Sequence, residues 1–167
     1  MLQDVDPSNL LAVAALTEGA AETKQRTATR AAEILVSLRE GYVVPTQKQR
    51  AALLVAFAQG QQVVYGKAFD IVRCPRDLDL EDPAAMSPRL AEISICEIKS
   101  TNKASVKPEF RGFFFAITAG EMLTAQSLGS QYRFIFVNTL THEYLEMSLQ
   151  QIFARSRGIY PTWSISI

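Results

Sequence analysis

The stretch Glu92-Ile93-Ser94-Ile95-Cys96-Glu97-Ile98-Lys99-Ser100 decides how the rest of the chain is read. On a strand, successive side chains point to opposite faces. One face then carries Ile93, Ile95, Glu97 and Lys99, and the other Ser94, Cys96 and Ile98. Apolar residues on both faces predict a central strand over residues 92–100. Charged residues on a strand ordinarily mark a solvated face. Here Glu97 and Lys99 follow two isoleucines on the same face, so the charged pair stands at the carboxyl end of a buried strand. Unpaired charge there is costly, and such strand ends are where sites gather.

Towards the N-terminus, Ser8 to about Glu40 is rich in helix formers, with Asp6-Pro7-Ser8 as a start and Gly19 as a divider. Ala31, Ile34, Leu35 and Leu38 form an amphipathic stripe, and Gly41 is a stop. Pro45-Thr46 opens another helix, Gln47 to Gln59, with Leu53, Leu54 and Phe57 on its apolar face, and Gly60 ends it. Val63-Val64-Tyr65 and Phe69-Asp70-Ile71-Val72 read as short strands. Pro75 to Pro88, with Asp77, Asp79, Glu81 and Asp82, reads as an exposed acidic loop.

Towards the C-terminus, Lys99, Lys103, Lys107 and Arg111 mark a basic polar loop. Phe113 to Ile117 is expected to be a strand. Thr118 to Leu128 is expected to be a helix with Thr118 and Glu121 as a capping box, closed by Gly129. Tyr132 to Asn138 is a further strand, and the tail from Tyr144 is expected to hold a short helix and a last strand, Trp163 to Ile167. Helices, strands, helix, strand give an α/β fold with a mixed sheet flanked by helices. A single domain of residues 1–167 is expected, helical over 1–60 and sheet-containing over 61–167.

Composition sets limits. The 167 residues are 48% hydrophobic and 20% charged, with 17 basic and 17 acidic side chains. That suits one domain with a core and excludes disordered, collagenous and disulfide-scaffold classes. A neutral total also excludes a protein that coats nucleic acid by bulk charge, so a nucleic-acid function needs a locally basic face. Four acids cluster from Asp77 to Asp82 and four bases from Lys99 to Arg111, so the neutral total conceals a separation of sign. Cys74 and Cys96, with His142 as the one histidine, do not make a zinc site. The cysteines read as two buried free thiols, with a disulfide as the alternative. The start MLQDVDPSNL has no signal-peptide pattern, and no window reaches the ~18 apolar residues of a membrane span. A cytoplasmic protein is expected.

Asp70 lies 27 residues before Glu97, on a neighbouring expected strand. Two carboxylates on adjacent strands can share a divalent cation, and retained waters with oxygen ligands suit Mg²⁺. Lys99 beside them can orient water or stabilise charge on a phosphate, and the metal can activate water for attack.

Phe69-Asp70-Ile71 followed by Cys96-Glu97-Ile98-Lys99-Ser100-Thr101 resembles the active-site signature of the PD-(D/E)XK nucleases, the restriction-endonuclease-like superfamily. The stretch Phe113-Phe114-Phe115-Ala116-Ile117-Thr118, then Gly120-Glu121, Ala125, Leu128-Gly129 and Tyr132-Arg133-Phe134, is similar to a restriction-associated subfamily. There a Glu-Val-Lys-Ser/Thr strand precedes an F-x-L-S-x-x-E helix and a Y-x-L-Y-x-V strand. The resemblance spans about residues 61–140. It implies Asp70 and Glu97 as metal ligands for Mg²⁺ (or Mn²⁺) and Lys99 as the catalytic lysine. Phe69 stands where the superfamily often has Pro. A further Glu on the first core helix is often present, with Glu33 and Glu22 as candidates here. Glu33 lies opposite the apolar stripe. Glu121 reads as a cap. Lys103, Lys107 and Arg111 are candidate donors to DNA phosphates, with Arg155 and Arg157 behind them. Tyr160 and Trp163 read as core or interface.

The expectation is a metal-dependent DNA endonuclease of restriction or defence type that uses water as nucleophile on double-stranded DNA. One small domain carries one site, so a homodimer is expected for double-strand cleavage, with the N-terminal helices as candidate dimer or DNA surface. The alternatives are a nicking or cleavage subunit that depends on a larger specificity subunit, or a catalytically silent DNA-binding subunit on the same fold. The sequence has no base-reading motif such as a zinc finger.

Overall fold

A computed structural model describes residues 25–160. Its centre is β3 (Ser94–Thr101), whose two faces enter two different cores. Ile95, and Ile93 just before the strand, pack with Phe57, Val72, Phe134 and Phe136. Cys96 and Ile98 pack with Ala31, Leu35, Ile71, Ile135 and Val137. The alternation read from the sequence is therefore the division of the molecule into layers.

The second core is closed by α1, which runs over residues 25–37 of the described chain. Ala31, Ile34 and Leu35 of its stripe are buried, whereas Leu38 falls past the helix end and is exposed. The chain then reverses through Gly41, at φ 86°, where a Cβ would lie 2.5 Å from the Cys74 carbonyl oxygen. No side chain fits that approach. It docks β1 (Tyr42–Val43) against Val72 and Arg73 of β2 (Ile71–Arg73). Residues 1–60 were expected to be helical; β1 corrects this, being too short to display an alternating pattern.

Helix α2 (Gln47–Gln59) is opened by the Thr46–Gln49 capping box and buries Leu53, Ala56 and Phe57. Val63 to Tyr65 is not a strand. Its amides are taken by hydroxyls of the later helix: Val63 N–H donates to Ser127 Oγ at 2.6 Å and Tyr65 N–H to Thr124 Oγ1 at 3.2 Å. The acidic segment is more ordered than the expected loop. It holds α3 (Pro83–Met86), capped by Asp82, and a 3₁₀ turn at Ser87–Glu92, and it buries Leu78, Leu80 and Met86.

The five strands of the described residues lie in the order β1-β2-β3-β4-β5, where β4 is Tyr132–Asn138 and β5 is Tyr144–Met147. All neighbours are antiparallel except β3 and β4, which are parallel from Ile95↔Tyr132 to Thr101↔Asn138. A parallel pair needs a crossover. Here it carries the basic loop, the phenylalanine run and α4 (Ala119–Leu128). Phe113 to Ile117 was expected as a strand but pairs with none among the described residues. Phe113 and Phe115 pack their rings against Phe136, with centroids 6.2 and 4.7 Å away. The run is thus extended because its rings are anchored, not because its amides are in a ladder. Helix α5 (Leu149–Arg155), capped by Ser148, completes the described fold.

This is an α/β structure with a mixed five-stranded sheet flanked by helices, as expected. Cys74 and Cys96 are both free and buried. Among the described residues no helix is long and apolar enough to cross a membrane. The expected strand Trp163–Ile167, the helix before residue 25 and the candidate Glu22 lie outside the described residues.

Candidate active site

Glu97 and Lys99 project from β3 toward α4. Lys99 Nζ donates to Glu97 Oε1 at 2.9 Å and to Glu121 Oε2 at 2.8 Å. The same Glu121 oxygen accepts the Thr118 N–H at 3.2 Å, closing the capping box of α4. Glu121 was read as a cap. It is one, and it also belongs to the site, a role that helix-end chemistry alone does not reveal.

Asp70 arrives by register. β2 pairs with β3 through Ile71↔Cys96, so one step further along the antiparallel ladder Asp70 lies opposite Glu97. Asp70 N–H donates to the Cys96 carbonyl at 3.0 Å, and Asp70 Oδ2 accepts the Ile98 N–H at 2.9 Å. The carboxylate is thereby pinned across the strand that bears Glu97 and Lys99.

A further cation was missed. Arg50 on α2 lies over the Phe69 ring, 4.0 Å from its centroid. Its Nη1 donates to the carbonyls of Gly66 and Phe69 at 3.0 and 2.8 Å, and the Tyr132 hydroxyl donates to the intervening Ala68 carbonyl. The turn leading into Asp70 is therefore held from two sides. The signal was present in the sequence: Arg50, Leu53, Leu54 and Phe57 recur at helical spacing, which puts an arginine on an apolar stripe.

The electrostatics follow from this crowding. Burial, aided by the charge of Asp70, pushes the Glu97 carboxyl up to about 8. Burial by itself lowers the Lys99 ammonium, but Glu97 and Glu121 outweigh it and hold Lys99 above its ordinary value. Burial lowers the Arg50 guanidinium, against the pull of Asp70 and Glu97. Three carboxylates thus face two cations, and Glu97 is the group that resists ionising. Burial and the charge of Asp70 outweigh the pull of Lys99 there, and a cation between Asp70 and Glu97 would add to that pull. Two hard oxygen donors suit a divalent ion that keeps its waters. Among the described residues, no group of three or more His, Cys, Asp or Glu side chains stands ready to hold a metal.

Glu33 is not part of this site. It is on α1, which packs on the opposite face of the sheet, and it is exposed and paired with Arg30 at 3.3 Å. Its place opposite the apolar stripe dictates that position.

The basic residues gather just beyond the carboxyl end of β3. Lys103, Lys107 and Arg111 line a cleft of about 750 Å³ together with Thr101, Phe114 and Arg157. Thr101 is two residues beyond Lys99 on the same strand. Arg155 is not among these cations; it pairs with Glu109 at 3.3 Å. Tyr160, expected in a core or interface, is exposed in this chain.

Comparison of the chain with protein-family models, with curated proteins and with solved structures found no match.

Proposed function

We propose that this chain is a metal-dependent endodeoxyribonuclease of the restriction-endonuclease-like fold, hydrolysing phosphodiester bonds in a restriction or defence role. The observation that carries the reading is the register that sets Asp70 opposite Glu97, with Lys99 on the same face and held by Glu121. Asp70 and Glu97 are the residues that would hold Mg²⁺ or Mn²⁺. When bound, such an ion polarises the phosphoryl group and lowers the pKa of water. Glu97 would hold the ion as its carboxylate, with its proton passed to water. Lys99 Nζ, fixed by two carboxylates, places a charge where negative charge develops on the phosphate. Glu121 orients that ammonium. Arg50 and Tyr132 fix the turn that presents Asp70. Lys103, Lys107 and Arg111 bind backbone phosphates. A site of this size serves one strand, so cleavage of both strands needs a homodimer or a larger partner subunit.

A second reading, a DNA-binding subunit without cleavage, is favoured by one observation: Lys99 is fully engaged between Glu97 and Glu121, as in a structural ion triad. Incubation with supercoiled plasmid and Mg²⁺ decides between them. Nicked or linear product is expected, and Asp70→Asn and Glu97→Gln should each lower the rate by about 100-fold or more. Full activity in Glu97→Gln would sink the nuclease reading. Binding without cleavage in either metal would leave the second.

A further inference from the structure

The cleft beyond β3 holds an aromatic side chain that the proposed chemistry does not use. Phe114 is 79% exposed, the most exposed of the large hydrophobic side chains among the described residues. Its neighbours Phe113 and Phe115 turn inward, stack on each other at 6.0 Å and pack on Phe136. Two anchored neighbours on extended backbone fix the middle ring pointing outward.

The turn before it is equally constrained. Glu109 and Phe110 have φ of 57° and 55°, followed by Gly112 at 79°. Consecutive left-handed residues other than glycine persist only where their surroundings hold them. Here the Phe110 ring is buried against Phe113 and Phe136, and Glu109 is held by Glu143 through its N–H and by Arg155 through its carboxylate. The result aims Arg111 and Phe114 into one cleft with Lys103, Lys107 and Arg157. None of these four cations has a carboxylate within ion-pair distance among the described residues.

Unneutralised cations around a rigid exposed ring match one chemistry. Phosphates answer the cations, and the flat face of a base answers the ring. A duplex supplies phosphates but hides its base faces in its own stack. We propose that this cleft takes an unpaired nucleotide of single-stranded DNA, its base on Phe114 and its phosphates on Lys103, Lys107, Arg111 and Arg157. The proposal rests on the DNA reading above and narrows it to the state of the strand, but its test reads binding rather than cleavage.

Fluorescence anisotropy of the full chain with labelled oligothymidylate, a duplex of equal length and the matching RNA, all in EDTA, is the test. Single-stranded DNA should bind more tightly than duplex. Phe114→Ala should weaken the single strand by roughly tenfold or more while leaving the duplex within about twofold, and Phe114→Trp should restore binding. Lys107→Ala should weaken both and reduce the single-strand salt slope by about 0.7. Phe114 is exposed, so its variants should fold as the parent does, which their thermal melts will verify. Duplex bound as tightly as single strand, or a Phe114→Ala variant that binds single strand like the parent, overturns the proposal. Tighter binding of the RNA overturns the choice of DNA. Plasmid cleavage with an indifferent Phe114→Ala overturns the cleft alone. The expected binding with no cleavage by the parent overturns the nuclease reading alone.

Discussion

Two clusters in this molecule have the same composition, one cation between two carboxylates. Arg89 joins Asp77 at 2.8 Å and Glu92 at 2.9 Å, and Lys99 joins Glu97 and Glu121 at 2.9 and 2.8 Å. The side chains of the first are 31–72% exposed and those of the second 5–12%. Asp77 and Glu92 of the first respond in one direction and Glu97 of the second in the other. Hydrogen bonds from Arg89 hold Asp77 and Glu92 below their ordinary values, whereas burial pushes Glu97 far above its own. Equal geometry therefore does not mean equal chemistry. Water decides whether such a pairing depresses its acids or leaves one of them resisting ionisation.

The comparison breaks most visibly at Lys99. Lys99→Ala removes the counter-charge that Glu97 and Glu121 share and should destabilise the protein by about 3–5 kcal/mol above pH 8, where Glu97 is ionised in the parent. Urea unfolding should show that loss shrinking toward acid pH as Glu97 takes up a proton. A surface-like loss with no pH trend would place the triad in solvent.

Glu97→Gln sharpens the contrast from the other side. Between 4.5 and about 8 the folded state holds a proton on Glu97 that the unfolded chain has released. Stability therefore falls as pH rises through that window. In metal-free buffer the Gln variant should be the more stable by on the order of 1–3 kcal/mol above the window, with the gap closing below it. Superimposable pH profiles for parent and variant would contradict the raised carboxyl.

Arg89→Ala should have the smallest effect, near the limit of what a thermal melt detects, and high salt should erase it. Here the pH trend has the opposite sign, because the depressed acids Asp77 and Glu92 stabilise the fold above their ordinary titration range and lose that contribution as pH falls.

What could be read in advance follows a physical rule. α2, α4, β3 and β4 were legible because their information is local: a Pro-Thr start with an apolar face, a capping box, an alternating strand and a β-rich run. The errors fell where distant partners decide. Val63–Tyr65 and Phe113–Ile117 have strand-like composition, but hydroxyls on α4 take the amides of the first and Phe136 takes the rings of the second. β1 exists only because Gly41 permits the approach to Cys74. At the site, Asp70, Glu97 and Lys99 were named from the sequence and the fold draws them together. Glu121 was seen only as a cap, since its second partner lies 22 residues away in sequence. Glu33 was a candidate by helix alone and is excluded by the face on which that helix packs.

The parallel pairing of β3 with β4 also has a kinetic meaning. No tight turn can deliver that pair, so the chain must close the whole crossover before the ladder gains a bond, and such closures are slow. Lys99 meets Glu121 only within that crossover. Until the crossover closes, Glu97 and Lys99 lack that neighbour, and the ion triad cannot be sealed before it. A chain stalled at that stage would display an unpaired, apolar strand edge, so the speed of the crossover sets how long the nascent protein is open to aggregation.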